Sequence, residues 1–240
     1  MSSSIDYPGK AGQPAILLFH SLGDSAAVFT DFAKKVNAAG YRVYAPTLTG
    51  HGSGQLADLF KSRMTAWQRD AQQALKKFHE EGQQEVYVGG LSLGGLLALD
   101  LLLAYPGLSG GILMATPAFE DISKSRVPYF LRQRYFRAAR GGTEAEAQAA
   151  FGQMEEMLLS IQAWLDAHWP QYQTIEAPLF MAQGGQDEVL QVNSVERLRR
   201  VCQAAEVLYP KIYPEGSHYL VQEPTKDVLA RDVLEFLAMR

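Results

Sequence analysis

The chain lacks most features of a secreted or membrane-anchored protein. It has one cysteine in 240 residues, Cys202, so no disulfide framework can form within it. That cysteine reads as a small apolar residue of a helix in a reducing compartment. The opening MSSSIDYPGK has no cationic flank leading into an apolar core, so no secretory leader is expected. No apolar run is long enough to span a bilayer: the most apolar stretch, residues 91–105, is interrupted by Ser92 and Asp100. Positive charge is not in excess, with 22 Lys and Arg against 26 Asp and Glu and a net charge of −4, and this gives no hint of a nucleic-acid surface. Repeats and low-complexity segments are also missing. The expectation is a cytoplasmic protein with no stable membrane insertion and no nucleic-acid partner, its oligomeric state left open.

Hydrophobic residues make up 47% of the chain, enough for a large core. AILLF (15–19), YRVYA (41–45), VYVGG (86–90) and GGILMA (110–115) read as strands, most of them apolar throughout rather than alternating. Strands covered on both faces by helices have that pattern. Helix-length segments separate them at 28–39, 66–81 and 93–104. This βαβ rhythm predicts a doubly wound, mostly parallel α/β sheet.

The rhythm breaks over residues 117–177, where no strand pattern occurs. Thr143 and Glu146 form a capping-box pair that can open a helix. Ala147, Phe151, Met154, Leu158, Ile161 and Leu165 then recur at steps of four and three, the spacing of one helix face. Packing is the ordinary role of such a stripe, and a helix lying over a cavity would add a second. The segment also carries Arg126, Arg132, Arg134, Arg137 and Arg140 among aromatic residues, and Phe130, Phe136 and Trp164 are expected to shape a pocket. The sheet rhythm resumes with PLFMAQGG (178–185), a helix near 192–202, a strand around EVLYPKIY (206–213) and a closing helix beginning near Pro224. The expected organisation is a core of residues 1–116 and 178–240 with a helical insert at 117–177.

Within GGLSLGG (89–95), Gly90-Leu91-Ser92-Leu93-Gly94 matches G-x-S-x-G, with a strand before and an apolar helix after. A serine on a strand-to-helix turn this tight needs small residues two positions away on each side, and its hydroxyl then stands at the carboxyl edge of the sheet. Serine is a weak nucleophile near neutral pH, so it needs a base that is itself oriented by a carboxylate, in the chain order serine, acid, histidine. Of five histidines, only His168 and His218 follow Ser92. His168 falls in the insert; His218 lies in YPEGSHYL, a loop after the last strand, and is the expected base. Asp187, in the loop QGGQDEV, is the expected acid, with adjacent Glu188 as its rival. Asp100, Asp121 and Asp166 fall on the serine's helix or in the insert, and Asp227 and Asp232 follow His218. An oxyanion hole needs two backbone N–H groups, expected from Leu93 and from Leu22 in LLFHSLGDS, with His20 bracing that loop.

With these residues in place, the chain resembles the α/β-hydrolase superfamily, and within it the small bacterial carboxylesterases and monoacylglycerol lipases with a short helical cap. The likeness rests on FHSLGDS (19–25), PTLTGHG (46–52), GGLSLGG (89–95), APLFMAQGGQDEV (177–189) and GSHYL (216–220) and covers nearly the whole chain. The resemblance implies an α/β-hydrolase fold with an eight-stranded core, no metal or organic cofactor, and hydrolysis of a small-molecule ester through an acyl-enzyme on serine. It makes His51 a structural loop element. In one departure the family's His-Gly after the first buried strand is His20-Ser21 here. Thioesterase, amidase and C–C hydrolase chemistry would use the same residues, and a non-catalytic binding protein on this scaffold would need only part of them. Acyl chain and alcohol are not legible, because insert sequence follows no readable code.

Overall fold

The computed structural model describes residues 4–53, 55–118, 121–138 and 143–239; of the insert's arginines, Arg140 lies outside them. Seven strands form one sheet: β1 (Ile5–Tyr7), β2 (Ala15–Phe19), β3 (Arg42–Ala45), β4 (Val86–Leu91), β5 (Gly110–Met114), β6 (Leu179–Gly184) and β7 (Leu208–Tyr213). Their order is β1-β3-β2-β4-β5-β6-β7; only β1 runs antiparallel to its neighbour. The eight strands implied by the resemblance are therefore seven among the described residues. The β1 edge carries charge, with Asp6 paired to Arg42 at 3.5 Å and to Lys77 at 2.7 Å, and charged side chains discourage further strand addition. At the opposite edge β7 contains Pro210, a residue tolerated where one side of the strand is unpaired.

Side-chain alternation along each strand feeds two cores. Leu17, Phe19 and Val88 point into the core shared with α3 (Met64–Glu80), α4 (Leu93–Ala104) and α7 (Ser194–Val201). Ile16, Leu18 and Tyr87 point the other way, against α1 (Thr30–Ala38) and α8 (Lys226–Leu237). Helices on both faces explain why these strands are apolar throughout. Helix α4 follows the same logic: it is buried nearly all round, so its sequence shows no polar stripe.

Between β5 and β6 the chain is helical, with α5 (Val127–Ala138) and α6 (Glu144–His168) as its main elements. Thr143 caps α6 in a capping box with Glu146. Met154, Leu158, Ile161 and Leu165 of the apolar stripe are buried. Two elements escaped the sequence pattern because they are too short to show periodicity: β1, and α2 (Leu56–Lys61). The twelve-residue α5 went unread because arginine and aromatic residues alternate through it without a clean apolar face. The closing helix starts at Lys226 with Thr225 as its N-cap, so Pro224 precedes the helix rather than opening it.

Leu97 is fully buried in α4, whereas Leu159 on α6 is 62% exposed. Leu97→Ala should cost about 2–5 kcal/mol, and Leu159→Ala less than about 0.5 kcal/mol, in urea unfolding followed by circular dichroism.

Candidate active site

Six strands run parallel, so their carboxyl ends share one edge, and the segments leaving β2, β4, β6 and β7 carry Leu22, Ser92, Leu93, Asp187 and His218. Ser92 occupies the single residue between β4 and α4, at φ 55° and ψ −116°, a backbone conformation that side chains other than glycine rarely adopt. Hydrogen bonds hold it there: its N–H donates to the Met114 carbonyl at 2.8 Å, and its own carbonyl accepts from Gly95 N–H at 2.8 Å. The flanking glycines are needed for space. A Cβ on Gly94 would lie 1.8 Å from the Phe19 carbonyl oxygen, and one on Gly90 would lie 2.3 Å from the Gly94 carbonyl carbon.

His218 Nδ1 is 2.9 Å from Asp187 Oδ2. An ionised carboxylate can only accept, so Nδ1 carries the proton and Nε2 is left as an acceptor. Asp187 is tied in turn: Oδ1 accepts from the N–H groups of Val189 (2.8 Å) and Leu190 (2.7 Å), and Oδ2 accepts from Gln183 Nε2 (2.6 Å). Burial is the largest influence on its acidity and opposes ionisation, but the bonds from His218, Leu190 and Val189 together outweigh it and hold the carboxyl below its ordinary value. Glu188, the rival, has a different place. Its Oε2 accepts the backbone N–H of His218 at 3.1 Å, so it holds the histidine's loop and not its ring. Gln183 and this contact of Glu188 were not legible in sequence, since neither belongs to a spacing pattern.

Ser92 and His218 open onto one cavity, which Ser21, Leu22, Leu93 and Tyr219 also line. As the first residue of α4, Leu93 has an N–H with no partner in its own helix. The apolar side is built by Leu96, Ile122, Val127, Phe130, Leu131 and Ile161. One member of the α6 stripe, Ile161, thus packs and lines at once. Of the aromatic residues expected around a pocket, Phe130 is in the wall. Phe136 is 58% exposed, and Trp164 stacks on His168 with ring centroids 4.4 Å apart.

The profile of Hydrolase_4, described as serine aminopeptidase, S33, matches residues 11–143, more than half the chain. The chain belongs to the Hydrolase_4 family. It is similar to a carboxylesterase of Bacillus subtilis, with 23% identity over 235 residues covering 95% of this chain and 94% of the relative. Among solved structures it is similar to one from a study of two metagenome-derived lipolytic enzymes, LipS and LipT, with TM-score 0.77, 18% identity and coverage of 100% and 98%. The monoacylglycerol lipase of Paleococcus ferrophilus superposes with TM-score 0.70 at 16% identity, covering 99% of this chain and 98% of that one. The fold is that of the α/β hydrolases, which the chain shares with these relatives.

In this Hydrolase_4 chain the loop after β2 is braced by its histidines. His20 Nδ1 donates to the Ser21 carbonyl at 3.0 Å, and Nε2 accepts the Leu48 N–H at 3.0 Å, which uses both ring nitrogens. Ser21, the departure from His-Gly, lines the cavity while its Oγ donates to Asp24 Oδ2 at 3.2 Å. His51 packs edge-on against His20 at 4.8 Å and donates from Nδ1 to the Thr49 carbonyl.

Burial first, and then the neighbouring His20, push the pKa of His51 from 6.5 down to about 3. The unfolded chain takes up a proton at this residue below pH 6.5 and the fold refuses it until about 3, so stability is fully present above 6.5 and falls as pH drops through that window. The urea midpoint should therefore decline between about pH 7 and 5, and the decline should be shallower in His51→Gln; parallel slopes would show that His51 does not titrate this way.

Proposed function

We propose that the chain is a serine carboxylesterase in which Ser92 is the nucleophile, His218 the general base and Asp187 the acid that orients it. The observation that carries this reading is the Asp187–His218 hydrogen bond, ending in a ring that shares a cavity with a serine on a strained elbow. His218 Nε2 takes the proton of Ser92 as its Oγ attacks the ester carbonyl, and Asp187 stabilises the imidazolium that forms. The N–H groups of Leu22 and Leu93 hold the developing oxyanion. The imidazolium then protonates the departing alcohol, and water repeats the sequence on the acyl-enzyme.

Residues 117–177 act as a cap, and the apolar wall from Leu96 to Ile161 takes an acyl chain of short to medium length, with monoacylglycerols or aromatic esters among the substrates. With a single cysteine and, among the described residues, no helix long and apolar enough to cross a membrane, we place the reaction in the cytoplasm. A second reading has a specific ground in the family's description as a serine aminopeptidase: the same residues would cleave an amide. Paired ester and anilide substrates sharing one acyl group separate the two.

Ser92→Ala should lower ester turnover by about 10⁶ while the fold persists. A fluorophosphonate should label the native chain and not the variant. Asp187→Asn should cost about 10⁴ in turnover, because an amide can donate to the ring and select the wrong tautomer. Glu188→Gln keeps an acceptor for the His218 N–H and should change turnover by less than about tenfold. A larger loss in Glu188→Gln than in Asp187→Asn, by p-nitrophenyl ester assay, would reverse the assignment.

A further inference from the structure

A second depression lies beside the cavity of Ser92 and carries two arginines on one wall. It is lined by Gly50, His51, Gln55, Leu56 and Leu59 on one side, and by Arg134 and Arg137 of α5 on the other. The two arginines lie three positions apart, on one helix face. Neighbouring arginines are neutralised: Arg63 pairs with Glu156 and Arg132 with Glu155. Among the described residues, neither Arg134 nor Arg137 has a carboxylate at ion-pair distance.

Arg134 is also the link between the two spaces. Its Nη1 donates to Tyr219 Oη at 3.5 Å and lies 3.6 Å from where a Cβ on Gly23 would stand, so the guanidinium sits against the loop after β2. Tyr219 lines the cavity of Ser92, and its ring meets that of His218 edge-on at 5.6 Å. The nearby acid, Asp24, is occupied by Ser21 Oγ at 3.2 Å and by the Ser25 N–H at 3.1 Å.

The orientation of a substrate follows from proton delivery. An alcohol leaving group must sit against His218 to be protonated, and the acyl group fills the apolar wall on the far side. The alcohol therefore extends past Tyr219 toward Arg134. We propose that the Arg134–Arg137 groove is an anion subsite for the alcohol part of the substrate, taking a carboxylate or phosphate carried by the leaving group. The claim rests on the Ser92–His218 reading and narrows its substrate class. A guanidinium fork pairs with either anion in two parallel hydrogen bonds, which suits a group held at a groove wall.

The test is kcat/KM by pH-stat at low salt on four esters: 1-butyrylglycerol, its 3-phosphate, O-butyryl lactate, and the glycerol monoester of succinate, which puts the charge on the acyl side. Hydrogen bonds to charged groups predict a preference of roughly 10- to 100-fold for at least one of the two anionic-alcohol esters over the neutral ester. Which of the two is preferred identifies the group as phosphate or carboxylate. Arg134→Gln and Arg137→Gln should each shrink that ratio, as should roughly 0.5 M salt, and Arg134→Lys should restore part of it. Equal rates on neutral and anionic esters, a ratio unmoved by Arg134→Gln, or an equal preference for the succinate monoester would each overturn the proposal. If no ester is turned over, the carboxylesterase reading fails separately, and calorimetric titration with glycerol 3-phosphate still tests the groove: binding must be weaker in Arg134→Gln than in the native chain.

Discussion

The contact between Gly94 and the Phe19 carbonyl, where not even a methyl group fits, is the constraint on which the rest of the structure depends. It lets α4 start directly against the end of β2, so the chain turns from β4 into α4 across the single residue Ser92. The turn forces Ser92 into a positive-φ backbone, and the Met114 and Gly95 hydrogen bonds keep it there. Strain of this kind, about 1–3 kcal/mol, persists only where the surroundings over-determine the conformation. Here the surroundings are the core that encloses α4 on one face of the sheet and the central strands it packs on.

Parallel strand order converts that local constraint into a site. Because β2, β4, β6 and β7 all end at one edge, residues far apart in the chain are brought together without any of them leaving a loop. The loops are not loose. Asp187 receives bonds from two backbone N–H groups, from Gln183 and from His218, and Glu188 holds the backbone of His218. The two adjacent acids thus divide the work of positioning one histidine, with Asp187 on the ring and Glu188 on the main chain. The bracing of the β2 loop through His20 and His51 has the same character: each ring is fixed by backbone partners and kept uncharged by burial.

The helical segment between β5 and β6 contributes differently on its two sides. Val127, Phe130, Leu131 and Ile161 turn apolar surface to the cavity of Ser92, while Arg134 and Arg137, one to two turns along α5, turn positive charge to the adjoining groove. One short helix therefore borders an apolar space and a basic one, and Arg134 meets Tyr219 where they join.

The sequence by itself determined the elements whose signals are local. Uninterrupted apolar strands, the capping box at Thr143 and Glu146, the G-x-S-x-G turn at Ser92, and the loops holding Asp187 and His218 depend on neighbours a few residues away, and all are legible in one dimension. Tertiary structure decided what depends on distance between remote segments. It separated Asp187 from Glu188 by which oxygen reaches the His218 ring, and put Phe130 in the wall while Phe136 faces outward. It also recruited Gln183 behind the acid and set Arg134 against Tyr219 while Arg132 found Glu155. Chain neighbours fix backbone conformation and periodicity, but a side chain's partner is set by where the other elements pack, and no spacing within one segment records that.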